Sequence, residues 1–203
     1  MTRKSNTVAR RAQIIRAMSE VMAEQGYDGA TIQAVAARAG LVPGLVHYHF
    51  KSKQEILLSL IQFMEENLLQ RVEARKNDKD PDRDLKAFID ATLALGEDSD
   101  QILVRCWIII GAEALRQSEV AEVYRQVISR QIELLEQRVR RCLTAQSRST
   151  KSSLSLALGI HAAIEGAFRL LVSAPEMTRS EAGFAAPTVL TMAQGAIAGQ
   201  PKA

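Results

Sequence analysis

Residues 31–53, TIQAVAARAGLVPGLVHYHFKSK, stop and restart a helical pattern twice in a short stretch, which few folds accommodate. Thr31 suits the N-cap of a helix over 32–39, where its hydroxyl can accept from an otherwise unpaired first-turn amide. That helix buries Ile32, Val35, Ala36 and Ala39 at helical spacing. Gly40 ends it, and Leu41 and Val42 form a tight connection. Pro43 then opens a further helix at the position where its missing N–H costs nothing. This helix ends near Phe50, and Ser52 caps another from about Lys53. Two short helices joined by a glycine-containing turn of about three residues make a helix-turn-helix. Its second helix is of a size to enter a DNA major groove, about 12 Å wide, and Ala36 and Ala37 let the two helices approach closely.

The rest of the chain reads as helix too. Residues 9–25 repeat Ile14, Ile15, Met18, Val21 and Met22 at helical spacing, with Gly26 as a left-handed closing residue. The fourth helix carries Ile56, Leu57, Leu60, Ile61, Met64, Leu68 and Val72 through about residue 75. KNDKDPDRD, 76–84, is a charged loop containing Pro81. Helices are then predicted over 83–96, 101–117, 119–144, 150–174 and 180–198. Gly96, the Ser118 region, residues 147–150 and APEMTRS at 174–180 supply the breaks. Abundant Ala, Leu, Ile, Glu, Arg and Gln, with only 4% aromatics, agree with this. The expectation is an all-α fold of about nine helices and no strand. It comprises a domain over 1–53 with a basic N-terminal arm and a helix-turn-helix at about 31–50, and a second domain over 54–203.

Charge is unevenly placed. Residues 1–53 hold eight Lys or Arg against three acids, a net +5, whereas the remaining residues hold 18 bases and 20 acids, a net −2. A positive excess confined to one small segment is the footprint of phosphate contact. Cys106 and Cys142 have neither metal-ligand spacing nor a disulfide framework, so reduced thiols in a cytoplasmic protein are expected. MTRKSNTVARR lacks the apolar core of a signal peptide. Residues 154–174 are long enough to span a bilayer, but His161, Glu165 and Arg169 interrupt them. A buried helix of a soluble protein, not a membrane partner, is expected there.

His47-Tyr48-His49 invites a metal or catalytic reading. Residues two apart on a helix point about 200° apart, so these histidines do not face one another. No further ligands stand at suitable spacing, so no metal site is expected. No nucleophile elbow, phosphate loop or paired carboxylates are found either, so neither an enzyme nor a cofactor is expected. A structural role for one histidine, packed against Phe50, stays open.

The pattern T-I-x-x-V-A-x-x-A-G-L-x-x-G-x-V-x-Y-H-F-K-S-K, from Thr31 to Lys53, resembles the DNA-binding domain of TetR-family transcriptional repressors. The likeness runs without a gap from about Arg10 to Leu60 and takes in the Leu-rich fourth helix. It implies a sequence-specific, ligand-responsive regulator that binds a palindromic operator in double-stranded DNA. It also implies a C-terminal helical domain that takes a small molecule and forms a homodimer. Carried onto this chain, the family's phosphate and base contacts fall on Thr31, Pro43, Gly44, Leu45, His47, Tyr48, His49 and Lys53. The chain departs from the family where a capping Ser or Thr and a recognition-helix Thr give way to Val42 and Leu45, and where tyrosines give way to His47 and His49. These departures bear on which operator is read. Two other readings stand beside this one: a helical ligand-binding or scaffold protein without DNA binding, and a helical enzyme.

CWIIIGAEALRQSEVAEVYRQ (106–126) and IHAAIEGAFRLLVSA (160–174) are similar to the C-terminal domain of repressors that control betaine synthesis and respond to choline. A quaternary ammonium calls for aromatic faces and a carboxylate. The candidates are Phe88, Trp107, Glu113, Tyr124, Glu165 and Phe168; an apolar effector, or plain core packing for Trp107, remains open beside them. His161, Glu165 and Arg169 make one polar stripe, readable as a modest ion pair or as part of a pocket or dimer seam. In family terms the dimer seam falls on Leu154, Leu158, Ala162 and Gly166 of one helix and on Val189, Met192 and Ala193 of the last.

Overall fold

A computed structural model describes the backbone of residues 3–93, 101–179 and 183–203, and the side chains of all of these except 3–6 and 179. Its elements are α1 (Arg3–Gly29), α2 (Ile32–Arg38), α3 (Pro43–His49), α4 (Lys53–Arg75), α5 (Pro81–Thr92), α6 (Gln101–Ala114), α7 (Ser118–Ala145), α8 (Ser153–Ser173), α9 (Pro175–Arg179) and α10 (Ala185–Ala198). Among the described residues the only extended pairing is a single bridge between Arg148 and Lys202. The expected stop at Gly96, residues 94–96 and 180–182 of two predicted helices, and the side chains of Arg3 and Lys4 lie outside the described residues.

Among the described residues the fold is all-α, with ten helices where about nine were predicted. The added one, α9, forms inside APEMTRS. Pro175 starts it as an N1 proline, and the Met177 and Thr178 amides donate to the Ala174 carbonyl at 3.1 and 3.3 Å. Another difference is local: α5 begins at Pro81 because the Asp80 carboxylate accepts from the Asp82 and Arg83 amides, both at 3.1 Å.

The chain divides into two compact units, residues 1–66 with 101–125, and residues 67–100 with 126–203. In the first, α1 packs against α2, α3 and α6. Ile14, Met18, Val21, Met22, Val35, Val46, Phe50, Ile56, Leu57, Leu60 and Ile61 form its core. Each such side chain contributes about 1.5–3 kcal/mol when removed from water. The Cys106 thiol of α6 donates to the Ser19 carbonyl at 3.2 Å, so this unit holds more than the segment 1–53. Gly26 interrupts α1 at φ +74, ψ 175, a region almost confined to glycine, and a last turn carries the chain to Thr31.

In the second unit α10 packs against both α5 and α8. Asp84, 2% exposed, accepts from the Asn77 amide at 3.0 Å and from Arg141 Nη1 at 2.7 Å, with Arg138 Nε at 3.4 Å. The loop before α5, charged in sequence, is thereby tied to α7. On α8, Ala157, Ile160, His161, Ile164, Ala167 and Phe168 are buried.

Candidate nucleic-acid interface

The turn that sets α3 against α2 is built from backbone. Gly40 adopts φ +66, and its amide donates to the Ala37 carbonyl at 3.1 Å while the Leu41 amide donates to Ala36 at 2.8 Å. This pair of bonds is a Schellman closure, and it needs a left-handed residue between helix and exit. At the other end of α2, the Thr31 hydroxyl accepts from the Ala34 amide at 3.1 Å, the predicted cap. Its O–H proton is still available to a second acceptor.

On α3, Pro43, Gly44, His47 and Tyr48 are exposed, and Tyr48 reaches 71%. Val46 and Phe50, one turn apart, are fully buried and hold the helix down. Leu45 and His49 are intermediate, with the His49 ring edge-on to Tyr48 at 5.0 Å. Tyr48 and His49 are thus in ring contact, whereas His47 stands exposed. Val42 occupies the N-cap and gives α3 no side-chain cap, and Pro43 follows at N1. A Cβ on Gly44 would meet no heavy atom within 4 Å, so nothing inside the chain requires glycine there.

Arg11 of α1 anchors the far end of α3. Its Nη1 donates to the His49 carbonyl, its guanidinium carbon lies 3.9 Å from the Phe50 ring centroid, and Nη2 donates to Ser59 Oγ at 3.4 Å. A cation on the last carbonyls of a helix also suits the negative end of its dipole. Gln13 does similar work for α2, donating to the Ala39 carbonyl at 2.7 Å. From sequence Arg11 was only one charge among eight, and Gln13 carried no signal, because their partners are distant in the chain.

Lys53 donates to the Tyr27 carbonyl at 2.9 Å, with its ammonium 4.0 Å from the Tyr27 ring centroid. One of its three protons is thus committed within the fold. Ser52 caps α4 as expected, accepting from the Glu55 amide at 3.1 Å, while Glu55 accepts from the Lys51 amide at 2.7 Å. Arg38 bridges to Glu24 and Glu20 of α1, which holds the Glu24 carboxyl below its ordinary value. Several bases of the N-terminal segment therefore work inside the unit.

The candidate effector residues fall in both units. In the first, the Trp107 and Tyr124 rings lie 4.8 Å apart, tilted by 36°. A Cβ on Gly111 would stand 3.1 Å from the Tyr124 hydroxyl, so this glycine gives that ring its seat. Buried Glu113 accepts from Gln117 Nε2 at 2.7 Å, and burial pushes the Tyr27 phenol above its ordinary range. In the second, Phe88 and Phe168 are buried and Glu165 is half-buried. Of the residues expected at the dimer seam, Leu154, Leu158, Ala162, Gly166 and Met192 are exposed, whereas Val189 and Ala193 are buried inside the unit.

Known proteins share these features. Residues 14–60 match the bacterial regulatory proteins of the tetR family, and residues 81–190 match the BetI-type transcriptional repressor C-terminal domain. The chain is 30% identical over 130 residues to the HTH-type transcriptional regulator BetI of Stenotrophomonas maltophilia, covering 62% of this chain and 64% of that protein. The match thus spans just under two thirds of that relative's length. A transcriptional regulator from Rhodococcus sp. Rha1 has a TM-score of 0.77 at 22% identity, over 92% of this chain and 95% of that one. A regulator from Saccharomonospora viridis, solved in complex with choline, has a TM-score of 0.77 at 18% identity, over 93% and 95%. At such identities the two structures establish a common fold. With both family matches in place, the chain belongs to the TetR family of bacterial regulatory proteins and carries a BetI-type C-terminal domain.

Proposed function

We propose that the chain is a cytoplasmic, sequence-specific DNA-binding repressor, not an enzyme, working as a homodimer on a palindromic operator. The observation that carries this is the outward face of α3, where Pro43, Gly44, His47 and Tyr48 stand exposed over buried Val46 and Phe50. Residues 1–53 act as the DNA-binding part, and residues 54–203 take the effector and the second copy. Gly44 allows the helix backbone close to DNA, and Leu45 offers an apolar contact to a thymine methyl. His47, Tyr48 and His49 address base edges and phosphates, while the Thr31 hydroxyl and Lys53 take phosphate oxygens and fix register.

The exposed apolar stripe of Leu154, Leu158, Ala162 and Gly166, with Met192, supports a face that a second copy covers. Half-sites about 34–36 Å apart then match two recognition helices, and a small change in their separation breaks the match. The effector we infer is a quaternary ammonium compound. The BetI-type C-terminal match and the choline complex of the Saccharomonospora relative support that class. In the second unit, buried Phe168 stands on the same helix as half-buried Glu165, an aromatic side chain and a carboxylate of the kinds that bind such cations. Such a ligand lowers DNA affinity only through its differential affinity for the non-binding conformer.

Fluorescence anisotropy with operator DNA selected from a random pool tests the reading. We expect binding that prefers the selected sequence and weakens steeply with salt, and that choline relieves. A complex indifferent to sequence and salt would sink it.

A further inference from the structure

Among the described residues, two buried side chains hold polar atoms with no hydrogen-bond partner, Arg138 and His161. Arg138 is accounted for: its Nε stands 3.4 Å from Asp84 Oδ2, and its Nη1 donates to the Leu134 carbonyl at 2.8 Å. His161 is not. It is 7% exposed, and neither Nδ1 nor Nε2 meets a partner. Buried polar groups in folded proteins are paired, and an exception marks the place of a water or a ligand.

The geometry around His161 says what that partner is like. Glu165 lies one helical turn on, with Oε1 3.8 Å from His161 Nε2, too long for a direct hydrogen bond. One oxygen placed about 2.8 Å from each atom spans the gap. Burial holds the imidazole below its ordinary pKa and so keeps it neutral, able to donate from one nitrogen and accept at the other. A hydroxyl fits between such groups: its oxygen accepts from the imidazole N–H and its proton goes to the carboxylate. The carboxylate also favours a positive charge close by. Counted at about 100° per residue, His161 and Glu165 lie beside Leu154 and Leu158 on α8, so a second copy seated on that stripe is the rival source of the partner, which a preference for choline in the comparison below excludes.

We propose that His161, together with Glu165, anchors the hydroxyl group of a small cationic effector within the second unit. The proposal rests on the reading of the chain as a regulator responsive to a quaternary ammonium compound, and deepens it by assigning the group that distinguishes a hydroxylated cation from a purely alkylated one.

The test is isothermal titration of the full chain with choline and with propyltrimethylammonium, which replaces the hydroxyl by a methyl group. The unsubstituted chain should bind choline at least about 10-fold more tightly, since a site built to hydrogen-bond a hydroxyl rejects the analogue lacking it. His161→Leu should erase that preference by weakening choline, leaving propyltrimethylammonium within about threefold. His161→Gln, which keeps a donor and an acceptor, should retain part of it. Far-UV circular dichroism and operator binding check that both variants fold. Should His161→Leu fail to fold, the two-probe comparison on the unsubstituted chain still decides. Equal affinity of the unsubstituted chain for both probes overturns the His161 assignment, as does unchanged choline affinity in His161→Leu, with water then filling the gap and the effector reading left standing. If the unsubstituted chain binds neither probe, the quaternary ammonium reading falls and the assignment falls with it.

Discussion

Arg11 reaches from α1 to the last turn of α3, where its Nη1 donates to the carbonyl of His49. The same guanidinium covers the Phe50 ring, so one side chain both ends the recognition helix and seals its buried edge. Arg11→Ala leaves that carbonyl without its donor and removes the cation over the ring, a loss of about 1–3 kcal/mol. The ion pair with Glu55 adds little, because both side chains are 36% exposed. Arg11→Lys should restore only part, lacking the planar fork. Urea denaturation reads the stability and anisotropy the DNA affinity, which should fall with it. A midpoint unmoved by Arg11→Ala would remove the anchoring role.

Gly44 separates stability from binding. No atom of the chain occupies the space a Cβ would take, and alanine is the better helix former by about 0.5–1 kcal/mol. Gly44→Ala should therefore raise the denaturation midpoint while weakening operator binding at least about 10-fold, the size of effect expected when a close approach is blocked. Tighter DNA binding by the stabilised variant would mean that α3 does not approach the groove at this residue.

Val42 is the reverse case, a place where the fold lacks something. The residue has the extended N-cap conformation, φ −84 and ψ 145, but no side-chain acceptor for the first-turn amides. Val42→Ser supplies one and should stabilise the chain by about 0.5–2 kcal/mol, visible as a higher melting temperature. No gain would mean that those amides are already satisfied by solvent.

His161 predicts a pH dependence. Burial lowers its pKa in the folded chain from the ordinary 6.5. Above that value both folded and unfolded chains hold it neutral, and its contribution to stability is intact. As pH falls below about 6.5, the unfolded chain takes up a proton that the folded chain refuses, so stability declines until the folded imidazole also protonates. His161→Gln removes that term alone, since His47 and His49 are unchanged. The unsubstituted chain should therefore lose more stability than His161→Gln between pH 7.5 and pH 5. Parallel curves over that window would contradict a buried neutral imidazole.

The residues that were legible in sequence carry their conformational instruction locally. Thr31, Gly40, Pro43 and Ser52 each fix a helix end through their own backbone or hydroxyl, and each does so in the structure. APEMTRS is expected as a break because proline commonly follows a helix, but proline also starts helices, and here Pro175 starts one. In sequence Arg11 is one of eight bases and Lys53 a phosphate contact carried over from the family, while their carbonyl partners within the fold lie 38 and 26 positions away, a separation no periodicity encodes. On α10 the small apolar residues surround the helix, so the pattern alone does not say that Val189 and Ala193 turn inward while Met192 turns out. His161 had the right residue type in a visible stripe. That both its nitrogens lack a protein partner became apparent only once the packing around it was known.

The split of α3 into a held face and an outward face bears on how such a regulator acquires a new target. Val46, Phe50 and Arg11 secure the helix without reaching its exposed side, so His47 and Tyr48 can be exchanged at little cost to folding. Duplicated copies of the gene could thus diverge in operator preference through a few surface substitutions, with the scaffold and its effector response inherited intact.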